Sequence, residues 1–192
     1  MARAADSRVA DSLFAAGNYS RAALEYERVF FTDTSVAVKN TALLNRARCF
    51  KNQNDFSQAY NTLKRVQHIR MSDTLDQRIR HEKALCAYLS AQYEDAEYEL
   101  QQMDFFIHDT LLTAKSLFLN VLVLSELEKW DSAKRALKKY FIYKNINADT
   151  LNIDALIPPR GLRSAKTAML LSLFLPGSGQ IYAGKPGQAL AS

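Results

Sequence analysis

An interval of 37 residues recurs through this chain: Tyr19, Phe56, Tyr93 and Trp130 are evenly spaced, and Ala22, Ala59, Ala96 and Ala133 follow them by three. The same interval links Tyr26, Leu63, Leu100 and Leu137, then Val29, Val66, Met103 and Tyr140, then Ala10, Ala47, Ala84 and Val121. Five columns of apolar or small residues repeated four times without a gap are not a product of chance. A period of about 20 to 50 residues with helical spacing inside each unit marks stacked units that bury a core against their neighbours.

The second unit shows what one repeat must be. Leu43, Ala47 and Phe50 are spaced as one helix face requires, and Phe56, Ala59, Leu63 and Val66 continue that spacing after a break at Asn52, Gln53, Asn54 and Asp55. Each unit therefore reads as a helical hairpin, with turns expected near residues 16–18, 52–55, 89–92 and 126–129. Alanine at 22, 59, 96 and 133 fits a close approach of two helix axes, because a larger side chain would hold the backbones apart. The aromatic three residues earlier is expected to wedge between hairpins.

The order of small residue, turn, aromatic, alanine and two apolar residues resembles the tetratricopeptide repeat, most clearly in GNYSRAALEYERV (17–29) and AQYEDAEYELQQM (91–103). The resemblance covers residues 3–145 and implies an all-α fold, a right-handed α-solenoid of four helical hairpins, followed by a C-terminal helix and a turn-rich tail. That family's usual period is about 34 residues, so each unit here carries roughly three more, in longer helices or connecting loops.

Composition narrows the function classes. The four Pro and six Gly lie mostly after residue 157, which leaves Gly17 alone of these residues within the repeats. The formal charge of +5 is modest, and Lys and Arg alternate with Asp and Glu through the repeats as solvated helix faces do. No basic stripe with interleaved aromatics suggests nucleic acid. Cys49 and Cys86 occupy equivalent first-helix sites, where stacked helices about 8 to 10 Å apart exceed the roughly 7 Å a disulfide tolerates. His68, His81 and His108 lack metal-ligand spacing, so no metal and no cofactor is expected. GQIYAGKP (179–186) matches a phosphate-loop spacing but has Pro186 where Ser or Thr should bind magnesium, and no strand precedes it. With no catalytic motif in view, the chain is not expected to be an enzyme or to take a small-molecule substrate.

If the tetratricopeptide register holds, the inner groove is lined by the first helix of each hairpin. Phe14, Arg48, Lys51, His81 and Tyr88 are the candidate partner-binding residues, a half-apolar groove with a basic patch suited to a protein or peptide carrying an acidic group. Leu44, Phe118 and Leu122 fall in the same register and either line the groove or pack inside the array. The family's clamp for a peptide C-terminus is not matched, since Ser7 and Asp11 occupy its sites in the first unit.

Residues 146–161 read as a linker and 162–192 as a membrane-associated segment. LRSAKTAMLLSLFL (162–175) is apolar nearly all round from Ala168, yet far short of the roughly 20 residues that cross a bilayer. Pro176, Gly177, Gly179, Gln180, Tyr182 and Gly184 then resemble the P-G-x-G-Q-x-Y-x-G motif of small bacterial membrane hairpin domains, where it joins two apolar helices. The second such helix would fall after Ser192, so the chain is expected to be cut from a longer membrane-attached protein or to be a mature form without its leader. The resemblance implies a membrane-associated scaffold of the bacterial cell envelope, facing the periplasm. The alternative is a structural spacer or self-associating element whose groove is filled in cis by the C-terminal segment.

Overall fold

The computed structural model describes residues 7–67, 74–103 and 110–146, and everything regular in them is helical. The elements are α1 (Arg8–Ala15), α2 (Tyr19–Thr32), α3 (Val36–Asn52), α4 (Phe56–Leu63), α5 (Thr74–Leu89), α6 (Tyr93–Gln101), α7 (Thr110–Glu126) and α8 (Trp130–Tyr143). The fold is all-α. The apolar segment 162–175 and the motif from Pro176 to Gly184 lie outside the described residues.

Each even-numbered helix begins at the aromatic of the first column, at Tyr19, Phe56, Tyr93 and Trp130. One turn, made four times, fixes that register. Two residues before each aromatic the backbone is left-handed, with φ of +75° at Gly17, +60° at Asn54, +60° at Ala91 and +56° at Glu128. The next N–H reaches back over the helix end: Asn18 to the Leu13 carbonyl at 2.9 Å, Asp55 to Phe50 at 2.9 Å, Gln92 to Ala87 at 2.8 Å and Lys129 to Leu124 at 2.9 Å. The left-handed residue itself donates to the carbonyl three back, for example Gly17 to Phe14 at 3.0 Å and Ala91 to Tyr88 at 3.0 Å. This is the Schellman arrangement, which satisfies carbonyls that a helix end would otherwise leave without donors. Asp55 adds a cap, its Oδ1 accepting from the Gln58 N–H at 3.0 Å.

Two compact units divide the chain, Met1–Ile107 and His108–Ser192. In the first, α1 to α6 pack in chain order, each helix against the next, with α3 also touching α5. In the second, α7 packs on α8. The alanines after each turn explain why these helices close so tightly: Ala22, Ala59, Ala96 and Ala133 are all 0% exposed. Leu63, Leu100 and Leu137 are equally withdrawn from water, and each contributes about 1.5 to 3 kcal/mol by burial.

Three details depart from the sequence reading. α4 stops at Leu63, so Val66 is buried in the segment just past the helix rather than on its face, its N–H bonding the Leu63 carbonyl at 3.1 Å. The turn aromatics find partners inside their own hairpin: Tyr19 sets its ring edge-on to Phe14 at 5.3 Å, and Tyr93 meets Tyr88 at 5.7 Å. Finally, Leu44, Phe118 and Leu122 are buried, which resolves the choice between groove and core in favour of packing. Cys49 and Cys86 are both free and fully buried, and burial pushes their thiols up to about 11 and about 12, the range of inert small apolar residues.

Candidate functional site

The candidate surface is the face presented by α1, α3 and α5, the first helices of the hairpins in the first compact unit. At its α1 end, Asp11 accepts from the Tyr26 hydroxyl at 2.6 Å and from the Ser7 hydroxyl at 2.9 Å. Arg48 of α3 is steadied by Asn45, Nη1 donating to Oδ1 at 3.2 Å. One turn further on, Lys51 Nζ lies 2.6 Å from Glu82 Oε2 of α5, with the two side chains 16% and 20% exposed. Burial alone would raise the Glu82 carboxyl. Lys51 foremost, with His81 and Arg48 behind it, outweighs that penalty and holds it below the ordinary carboxylate value.

The five expected residues therefore fall into two groups. Lys51 pairs with Glu82 in a field to which His81 and Arg48 add, whereas Phe14 and Tyr88 each support a turn aromatic, Tyr19 and Tyr93. His81 and Tyr88 are buried, and Phe14, Arg48 and Lys51 are half-buried. The patch expected to be basic is charge-balanced, with Asp11 at one end and Glu82 at the other. Glu82 was missed because it stands one position off the groove register. The only signal in the sequence was its adjacency to His81, since its partner Lys51 belongs to the preceding hairpin.

Two further polar clusters correct the picture of charges spread over solvated faces. Between α5 and α6, Arg80 pairs with Asp76 at 2.8 Å and lies 3.5 Å from Glu99, while Lys83 Nζ meets Glu99 at 2.5 Å. All four side chains are under 10% exposed, and two cations face two carboxylates. Such a network holds because each charge is paired; stripping one partner would leave a buried charge unanswered. Between α2, α3 and the segment just past α4, Glu27 receives Arg65 at 2.7 Å and Arg46 at 3.2 Å.

Among the described residues no group of three or more His, Cys, Asp or Glu side chains could hold a metal ion, and no helix is long and apolar enough to cross a membrane. Comparison with protein-family models, curated proteins and solved structures finds no match. What this surface can do chemically is hold opposite charges in fixed register and present side chains at a constant repeat spacing.

Proposed function

We propose that the chain is a non-catalytic interaction scaffold of the tetratricopeptide kind, binding a protein or peptide against the first-helix face and attached to a bacterial envelope membrane through residues 162–192. The observation that supports it is the turn repeated at Gly17, Asn54, Ala91 and Glu128 with a fully buried alanine five residues on. Within the first unit, hairpins built alike place equivalent first-helix side chains in register, and such a periodic face suits an extended or helical segment of another chain. The membrane clause rests on the apolar run from Ala168 and on the resemblance of the Pro176 to Gly184 motif.

The test is charge reversal in the full chain, Arg48→Glu with Lys51→Glu, beside a control in which Glu82→Lys restores the balance. Immobilised protein should capture a partner from bacterial envelope extract, and the double variant should lose it at unchanged helicity. Capture that survives the reversal sinks this reading. A second reading, the structural spacer, is favoured by one observation: Lys51 already spends its charge on Glu82 within the chain. It predicts concentration-dependent self-association in sedimentation and no captured partner.

A further inference from the structure

Repeat equivalence exposes a missing charge. Lys83 and Glu99 form an ion pair across the third hairpin, and 37 residues earlier the same two positions hold Arg46 and Thr62. Arg46 Nη1 donates to the Thr62 hydroxyl at 3.2 Å, a neutral acceptor where the third hairpin has a carboxylate. The guanidinium turns instead to Glu27 of the preceding hairpin, which is already engaged by Arg65 through two contacts of 2.7 and 3.0 Å. Arg46 Nε lies 3.2 Å from Glu27 Oε2 yet makes no hydrogen bond. Two guanidiniums thus share one carboxylate among the described residues, against the two-to-two balance between α5 and α6. Burial presses Arg46 below its ordinary value, Glu27 works against that, and Arg65 adds to it.

On its Arg65 side this surplus borders an apolar, open surface. Arg65 lies over the Phe30 ring at 4.5 Å and the Phe31 ring at 5.8 Å, and Lys39 approaches Phe30 at 5.8 Å. Phe31 is 70% exposed and Leu24 is 69% exposed. Leu24, Glu27 and Phe31 share one face of α2, with Leu24 and Phe31 two turns or about 10 Å apart. That is the spacing of anchors recognised by an amphipathic helix at i and i+7. The Arg65 side chain is 34% exposed, so an incoming carboxylate can reach it, and its planar fork fits a carboxylate bidentately.

We propose that Leu24 and Phe31 of α2, with Arg65 beside Glu27, form a docking site for an acidic amphipathic helix of a partner protein, whose carboxylate meets Arg65 and relieves the double demand that Arg46 and Arg65 make on Glu27. The site lies away from the Arg48 and Lys51 face, so it stands whether or not that face binds. A single recessed guanidinium pair flanked by two apolar anchors favours one acidic side chain over a broad anionic membrane surface.

The experiment uses the full chain and a fluorescein-labelled synthetic helix of about 16 residues, long enough to hold helical structure, with Leu at i and i+7 and Glu between them. A second peptide carries Gln for Glu. Anisotropy should give a Kd below about 100 μM for the Glu peptide and binding weaker by about tenfold for the Gln peptide, the worth of a charge-assisted contact. Thr62→Glu, which installs the carboxylate of the third hairpin, should weaken the Glu peptide by about tenfold while keeping or raising the melting temperature. Arg65→Gln reads the same effect at an exposed position if Thr62→Glu perturbs folding, and Phe31→Ser should weaken both peptides. Equal affinity for the two peptides, or no effect of both Thr62→Glu and Arg65→Gln, overturns the proposal. So does failure of the Glu peptide while phosphatidylglycerol vesicles bind, or dimerisation in sedimentation that Phe31→Ser abolishes.

Discussion

The Tyr26 hydroxyl donates a 2.6 Å hydrogen bond to Asp11 Oδ1, tying the buried middle of α2 back to an exposed carboxylate of α1. Burial first, and then Asp11, raises the phenol above its ordinary value, so the folded state holds its proton more tightly than the unfolded chain. The same direction holds for Tyr60, through burial and Asp95, and for Tyr140 through burial. Stability from these groups is complete below the ordinary tyrosine value of 10.0 and drains as pH rises beyond it. A tyrosinate absorbance titration should therefore show part of the signal appearing with loss of helical circular dichroism, and Tyr26→Phe should cost about 1 kcal/mol in urea unfolding at neutral pH.

The buried alanines predict overpacking. Ala59→Leu or Ala96→Leu forces a larger side chain into a helix crossing and should destabilise by about 1 to 3 kcal/mol, measured from thermal or urea unfolding. An unchanged melting temperature in both variants would contradict the crossing.

Left-handed backbone at Ala91 and Glu128 carries a strain that Gly17 does not. Ala91→Gly and Glu128→Gly should each stabilise by about 0.5 to 1 kcal/mol, relief of the Cβ clash outweighing the added freedom of the unfolded chain. In the reverse direction, an added Cβ at Gly17 meets nothing within 4 Å, so Gly17→Ala should cost about 1 kcal/mol through backbone strain alone.

Removing Glu99 strands Lys83 in the interior and leaves Arg80 to Asp76 alone. Glu99→Ala should cost about 3 to 5 kcal/mol, whereas Glu99→Leu combined with Lys83→Met should recover much of that loss, because the apolar pair carries no desolvation penalty. A double-mutant cycle by chemical unfolding measures the coupling.

Acid should act through Glu82. Its folded value lies below the ordinary 4.5, so its contribution is present above that pH and is lost as pH falls through the lowered folded value. Glu82→Gln should lower stability at neutral pH and flatten the acid limb of the unfolding profile.

Much of the backbone was legible in the sequence. Turn positions, the eight helices of the described residues and the buried alanines follow from periodicity, because period and side-chain size are local properties that each hairpin meets in the same way. The polar interior was not. Asp76, Arg80, Lys83 and Glu99 sit at spacings that read as a solvated face, and whether such a face meets water depends on what the neighbouring helix brings to it. Glu82 shows the same limit at the candidate site: Lys51 looked available because its partner comes from another hairpin, a relation that helical spacing does not encode. Ala91 and Glu128 hid their left-handed turns, since tertiary packing imposes a conformation their residue types resist.

The ion pairs that cross from one hairpin to the next have an evolutionary corollary. Glu27 reaches forward to Arg46 and Arg65, and Lys51 reaches forward to Glu82. The equivalents of Glu27 in the later hairpins are Lys64, Gln101 and Lys138, so the acid is particular to the first. The first hairpin set before the third would find Gln102 in place of Arg65, and set before the fourth would find Asn120 in place of Arg46. Units with one backbone plan are thus not interchangeable parts: each carries the address of its successor, and lineages that gained or shuffled hairpins would have had to rewrite these charges first.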